Sequence, residues 1–343
     1  MEVTHGSGIA IALLSGFAFA MSGPFGKPLL AAGWSPAGVV LVRIWIAAIV
    51  TLIPMLIVGR ARLATLRYAP FTVLAYGLLA VIGVQLAYFN AIAHMSVTVA
   101  LLIEFSAPLL VLVYLWARFG RRPTLRTVLG AALAVAGLVA VVGAASGGAV
   151  VTPIGLAWAF VSLVGLAAYF LLAEDGTRAD DIDVASIEGA KPAVDQLALA
   201  VGGLLVGAVV LSLTSLAGIT PVRISTAPVV LGGLGTTPWW VPAVVIGAVA
   251  TGLAYVAGIL AINMVGPTLA SFLGFSEVIA SGVVAWLMLG EALTPVQIVG
   301  AVAIVAGVIA VKRGEQRGTA GAPRPGAPAN PHDGARTPPA RTA

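Results

Sequence analysis

The sequence predicts an all-α integral membrane protein of ten transmembrane helices, arranged as two inverted five-helix repeats. Three observations carry that expectation. Residues are 60% hydrophobic and only 9% charged, whereas a soluble domain carries about 25% charged residues, so most of this surface must face lipid or other protein. Ten apolar stretches each approach the roughly 20 residues a helix needs to cross the hydrocarbon core. The chain also answers itself at an offset of 170 residues.

The ten spans fall at 8–32, 36–58, 70–93, 96–117, 126–145, 153–173, 195–217, 240–263, 267–289 and 295–312. The first is interrupted by "SGPFGKP", where Gly23 and Pro24 should kink or break the helix. Its "AFA" resembles a signal cleavage site, but Glu2 and the lack of a basic residue ahead of the apolar run argue against a secretory signal. Arg60, Arg62 and Arg67 follow the second span, Arg118, Arg121, Arg122 and Arg126 lie between the fourth and fifth, and Lys312 and Arg313 follow the tenth. Arg178 and Lys191 lie between the sixth and seventh. These loops share one side, and the other side holds little beyond Arg223. The positive-inside rule therefore puts both termini in the cytoplasm and the protein in the cytoplasmic membrane. The tail from about 314, rich in Gly, Pro and Ala with scattered Arg, has nothing to pack and should be disordered. The expected division is 1–145 for the first repeat, 146–313 for the second and 314–343 for the tail.

The repeat rests on uncommon residues. Phe105 and Ser106 meet Phe275 and Ser276, Trp116 meets Trp286, Gly120 meets Gly290 and Thr124 meets Thr294, before "GAALAVAGLVAV" from 130 meets "GAVAIVAGVIAV" from 300. Five helices per half is an odd number, so the second half enters the membrane from the opposite side. Inverted repeats of this kind build secondary transporters, which rock one unit against another around a midplane site. Duplication kept for packing, or a channel, would leave the same pattern.

Several classes are excluded or disfavoured. The chain has no cysteine, which removes disulfides, thiolate metal sites and cysteine nucleophiles. His5, His94 and His332 are scattered without ligand-like spacing, so no metal or other cofactor is expected. The net charge of +5 reports topology rather than nucleic-acid binding. No nucleophile and base can be assembled in the spans, which argues against an enzyme. No repeated filter loop or ring of like charge points to a channel or scramblase.

The residues of the repeat also carry a family resemblance. "FSEVIASGVVAWLMLGEALTPVQIVGAVAIVAGV" at 275–308, with its Gly290-Glu291 pair and Gly300, resembles the end of an EamA-type repeat of the drug/metabolite transporter superfamily. Lys27 and Arg43 fit that pattern, and "IAHMSVTVALLIEFSAPLLVL" resembles the fourth-helix region of the threonine/homoserine exporter branch. Arg121 stands in the first half where Glu291 stands in the second. The resemblance implies a five-plus-five helix fold with a central cavity. It implies export of amino acids or related small metabolites, often in exchange for protons, with multidrug efflux as the alternative. The expected partners are a small-molecule substrate, the bilayer and protons, the chain acting as a monomer or homodimer.

Charged groups in the spans mark the candidate site. A charge at a helix centre costs about 2.5–3.5 kcal/mol on insertion scales, so such residues face a cavity or a partner. Glu104 is expected about nine residues into the fourth span and Glu277 about ten into the ninth. Each could carry a proton or bind a cationic group, or be a neutral acid bonded to a neighbouring helix. Arg43 needs an anion or water: it pairs with Glu104, clamps a substrate carboxylate, or snorkels to headgroups. Lys27, nearer a span end, has the same alternatives, with snorkelling the stronger. Gln85 and Tyr88 share a face and could contact a solute or glue helices together, with Asn90 about 140° round from Gln85. Trp116 and Trp286 suit interfacial anchoring.

Overall fold

A computed structural model describes residues 5–120, 123–144, 151–181, 195–273 and 276–320. The first apolar segment is split into α1 (His5–Ala20) and α2 (Ser22–Ala31). Pro24 has no N–H to offer the Ala20 carbonyl, so the helix parts one turn before the Gly23-Pro24 pair. α3 (Pro36–Val58) opens with Ser35, whose hydroxyl accepts from the Gly38 N–H at 3.1 Å, and with Pro36 in its first turn. A short α4 (Arg60–Leu63) and a 3₁₀ turn lead into α5 (Pro70–Ala75), which continues through a π-helical stretch, Tyr76–Gly83, into α6 (Val84–Ile92). α7 (Val97–Glu104) and α8 (Ala107–Phe119) follow, then α9 (Leu125–Ala144), α10 (Pro153–Asp181) and α11 (Gln196–Leu216). A long connection carries the hairpin β1 (Val229–Val230) and β2 (Thr236–Thr237). α12 (Trp240–Val244) then passes through a second π-helical stretch, Val245–Leu253, into α13 (Ala254–Leu273), followed by α14 (Ser276–Leu289) and α15 (Pro295–Ala320).

Among the described residues, six helical runs are long and apolar enough to cross a membrane: Gly6–Ala31, Pro36–Ile57, Pro70–Ile92, Val97–Arg118, Gln196–Leu216 and Trp240–Ile262. Shorter apolar helices at Leu125–Val141, Pro153–Ala168, Ser276–Leu289 and Pro295–Val311 lie at the other four expected positions. The chain is a multi-pass membrane protein. One boundary needs correction. The ninth span was expected from 267, but α13 runs on to Leu273 and the next helix starts at Ser276. In the first half Ser96 caps α7, accepting from the Val99 N–H. The residue 170 further on is Gly266, which has no side chain to cap with, so no helix starts there. Of the tail, residues to Ala320 continue α15, and 321–343 lie outside the described residues, as does Arg121.

The sequence repeat recurs as local structure. Gly120 and Gly290 end α8 and α14 in the left-handed region, at φ +65° and +69°, their N–H groups bonded back to Trp116 and Trp286. Thr124 and Thr294 accept from the N–H groups of Thr127 and Gln297 at the starts of α9 and α15. Packing follows the same rule. α1 lies against α13 and α14, and α10 lies against α6, α7 and α8. α9 and α15 cross with reciprocal glycine contacts: a Cβ on Gly137 would lie 2.5 Å from the Gly300 carbonyl oxygen, and one on Gly307 would lie 2.5 Å from that of Gly130. Such close backbone approach is what small residues permit where lipid removes the hydrophobic drive between helices.

The ends of the bundle are set by α3 and α11. One end holds the connection after α3, where Arg62 reaches Asp195 at 3.8 Å. Arg60, Arg62 and Arg67 are exposed there. The other end is tied by the hairpin connection: Trp34 donates to the Ser225 carbonyl at 2.7 Å, and the Arg223 N–H donates to Ser35 Oγ at 2.9 Å. The largest buried side chains include Phe89, Ile92, Met95, Leu102 and Ile103, around the turn between α6 and α7.

Candidate functional site

The interior polar groups collect at breaks in the helices. Glu104 is the last residue of α7. Pro108, four residues on, has no N–H for the Glu104 carbonyl, so the helix breaks there and the acid sits at a helix end instead of within a continuous span. Glu104 Oε2 accepts from the Ser162 hydroxyl at 2.9 Å. Glu277 also differs from its expected mid-span position. It lies in the first turn of α14, where the helix dipole favours a carboxylate. Gly16 of α1 lets that turn come close, since a Cβ there would sit 2.5 Å from Ser276 Oγ.

Arg43 is 4% exposed and does not snorkel. Its Nε donates to Thr251 Oγ1 at 2.5 Å, Nη1 to Ser22 Oγ at 2.5 Å and Nη2 to the Ala250 carbonyl at 3.3 Å, with the guanidinium 5.6 Å from the centre of the Phe89 ring. It therefore joins the break between α1 and α2 to the π-helical stretch before α13. A direct pair with Glu104, one of the alternatives the sequence leaves open, is not formed. The ion pairs among the described residues are Lys27–Glu291 and Arg62–Asp195. Arg43, Tyr88, Glu104 and Glu277 nevertheless lie within electrostatic reach of one another, and Tyr255 within that of Arg43.

Gln85 and Tyr88 share the inward face of α6, as their spacing requires, and both are buried. Gln85 Oε1 has no hydrogen-bond partner among the described residues. The Tyr88 hydroxyl occupies space that a Cβ on Gly23 would take, at 2.5 Å. Asn90 turns away and donates to the Leu86 carbonyl of its own helix.

Lys27 is separate from this cluster and, like Arg43, does not snorkel. Its Nζ bonds Glu291 Oε1 at 2.5 Å and the Met95 carbonyl at 2.8 Å, while Glu291 Oε2 accepts from the Val97 N–H at 2.8 Å. Glu291 thereby caps α7 and ties α2 to the connection after α14. This is the same end of the bundle as the hairpin connection.

The arrangement offers two carboxylates with no direct ion pair among the described residues and one buried cation bonded to neutral groups. It can hold protons or an ammonium group on the acids, and an anion near Arg43. Among the described residues no group of His, Asp or Glu could hold a metal ion.

Residues 6–143 match the model of the EamA-like transporter family. No curated protein sequence matches the chain. One solved crystal structure, described only as that of a protein, superposes with a TM-score of 0.57 at 18% identity, over 90% of this chain and 98% of that one. That likeness establishes a shared fold. Residues 6–143 thus carry the sequence pattern of a family of small-molecule transporters, and 90% of the chain shares a fold with a solved structure.

Three polar residues of the site went unmarked by sequence: Ser22, Ser162 and Thr251. A lone hydroxyl in an apolar helix usually bonds its own backbone, so nothing in the sequence separates these from the rest.

Proposed function

We propose that the chain is a secondary transporter that exports amino acids or related small metabolites across the cytoplasmic membrane in exchange for protons, by alternating access between two inverted five-helix repeats. The observation that carries this reading is the buried cluster of Arg43, Glu104 and Glu277, set at helix breaks where elements of the two halves interlock. Charged groups at such depth are costly and mark substrate or ion pathways. Broken helices around a central site are the build of inverted-repeat carriers. The matching placements of α1 against α13 and α14 and of α10 against α6 and α7, together with the reciprocal packing of α9 with α15, support the two-repeat assignment. The Lys27–Glu291 pair closes one end of the bundle and must part for that end to open. In this reading Glu104 and Glu277 carry protons or the substrate amine, Arg43 orients the substrate carboxylate, and Gln85 and Tyr88 line its path.

Counterflow and gradient-driven uptake in proteoliposomes test the reading, with pooled amino acids and an imposed proton gradient. Wild type should accumulate a substrate against its gradient. Glu104→Gln should keep exchange and lose the response to the proton gradient. Downhill flux alone, without accumulation, would mean a channel instead.

A further inference from the structure

The reciprocal contacts of the two halves contain one pair of hydroxyls that does not match. Ser15 on α1 donates to the Ala254 carbonyl at 2.8 Å. Ser162 on α10 faces the Val84 carbonyl at 3.4 Å. Val84 and Ala254 are separated by the repeat offset of 170 residues, so the two serines meet corresponding backbone carbonyls. Both are buried. Gly165, one turn along α10, keeps the helix close to this point, since a Cβ there would lie 2.9 Å from Val84 Cγ2.

The difference has a visible cause. Ser162 Oγ also meets Glu104 Oε2, at 2.9 Å. A hydroxyl has one hydrogen and cannot donate fully to both acceptors. An O–H···O bond runs about 2.5–3.0 Å, so Glu104 holds the hydrogen and Val84 is left with the long contact. The residue 170 after Glu104 is Gly274, which has no side chain to compete for Ser15.

We infer that Ser162 is a positioning residue whose hydroxyl changes partner with the protonation of Glu104. The inference rests on the reading of Glu104 as a proton-binding group. With Glu104 ionised, Ser162 donates to the carboxylate. When Glu104 gains one proton, its new O–H donates to the Ser162 oxygen, and the serine hydrogen turns to the Val84 carbonyl. Ser162 neither gains nor loses a proton. The Ser162–Val84 contact then becomes a full hydrogen bond like that of Ser15 and Ala254, drawing α10 onto the start of α6. These helices belong to different halves, so a proton on Glu104 is felt where the halves meet. Arg43 from α3, Tyr88 from α6 and Glu277 from α14 also act on Glu104 electrostatically. Among the described residues, Ser162 is the side chain hydrogen-bonded to it.

Infrared difference spectra of the full-length protein in liposomes, stepped between alkaline and acidic pH, test this directly. A protonated-carboxyl C=O band should be present in wild type and absent in Glu104→Gln. In Ser162→Ala that band should move to higher wavenumber, having lost its hydrogen-bond partner. It should return to the wild-type position in Ser162→Thr and stay unmoved in Ser15→Ala. The inference is overturned if Glu104→Gln removes no band, if Ser162→Ala leaves it in place, or if Ser15→Ala moves it equally. If these shifts appear while no pooled substrate is transported, the hydroxyl switch stands and the transport reading falls.

Discussion

In the first half of the molecule, α8 ends on left-handed Gly120 after Trp116, and α9 starts at Thr124. In the second half, α14 ends on left-handed Gly290 after Trp286, and α15 starts at Thr294. Both tryptophans are more than half exposed, as anchors should be. The interior is where the halves diverge. Gln85 of the first half corresponds to Tyr255, Tyr88 to Gly258 and Glu104 to Gly274. Turns, caps and glycine contacts are repeated because both halves must solve the same packing problem. The polar groups are not repeated, as the proposed function requires: one site between the halves would need each chemical role filled once.

Arg43→Met should have the largest effect on this asymmetric interior. It removes three hydrogen bonds from a charged donor, each worth about 1.5–3 kcal/mol, and frees the α1–α2 break from the π-helical stretch. Purified Arg43→Met should unfold at a clearly lower temperature and lose transport, and Arg43→Lys should recover little, since one ammonium cannot reach Ser22, Thr251 and Ala250 together. Wild-type thermal stability in both variants would show that the cluster does not join the halves.

The next effect probes the shared scaffold. Gly137→Val and Gly307→Val, equivalent at the repeat offset, each push a side chain against a glycine carbonyl of the facing helix. Each should cost about 1–3 kcal/mol through overpacking, and by similar amounts. Markedly unequal losses in thermal unfolding would break the proposed equivalence of α9 and α15.

A smaller effect is expected at the closed end. Lys27→Met and Glu291→Gln each disturb a half-buried ion pair and, for Glu291, the cap of α7. A double-mutant cycle should give a coupling of about 1 kcal/mol. Additive losses would mean the two side chains do not act as a pair.

The smallest expected effect sharpens the comparison of the turns. Gly120→Ala and Gly290→Ala meet no neighbouring atom within 4 Å, so each should cost about 1 kcal/mol for the left-handed backbone alone. Equal shifts in melting temperature would support the repeat. A much larger loss at one site would reveal a contact that the other lacks.

The sequence by itself determined where the apolar helices run and that the first of them breaks. Span length and Pro24 act through local backbone geometry, which a linear reading can follow, whereas the break before Pro108 emerged only in the structure. The sequence marked Glu104, Glu277 and Arg43 too, because a charge in an apolar run is costly wherever the run ends up. It misplaced the start of the ninth helix, since the sequence gives no sign that a helix would continue through Pro267. Only the tertiary structure decided the partners. Arg43 meets Thr251 across 208 residues, and Lys27 meets Glu291 across 264. Which acceptor an arginine or lysine finds depends on how distant helices pack, and hydroxyls and carbonyls are too common along the chain for spacing alone to select one.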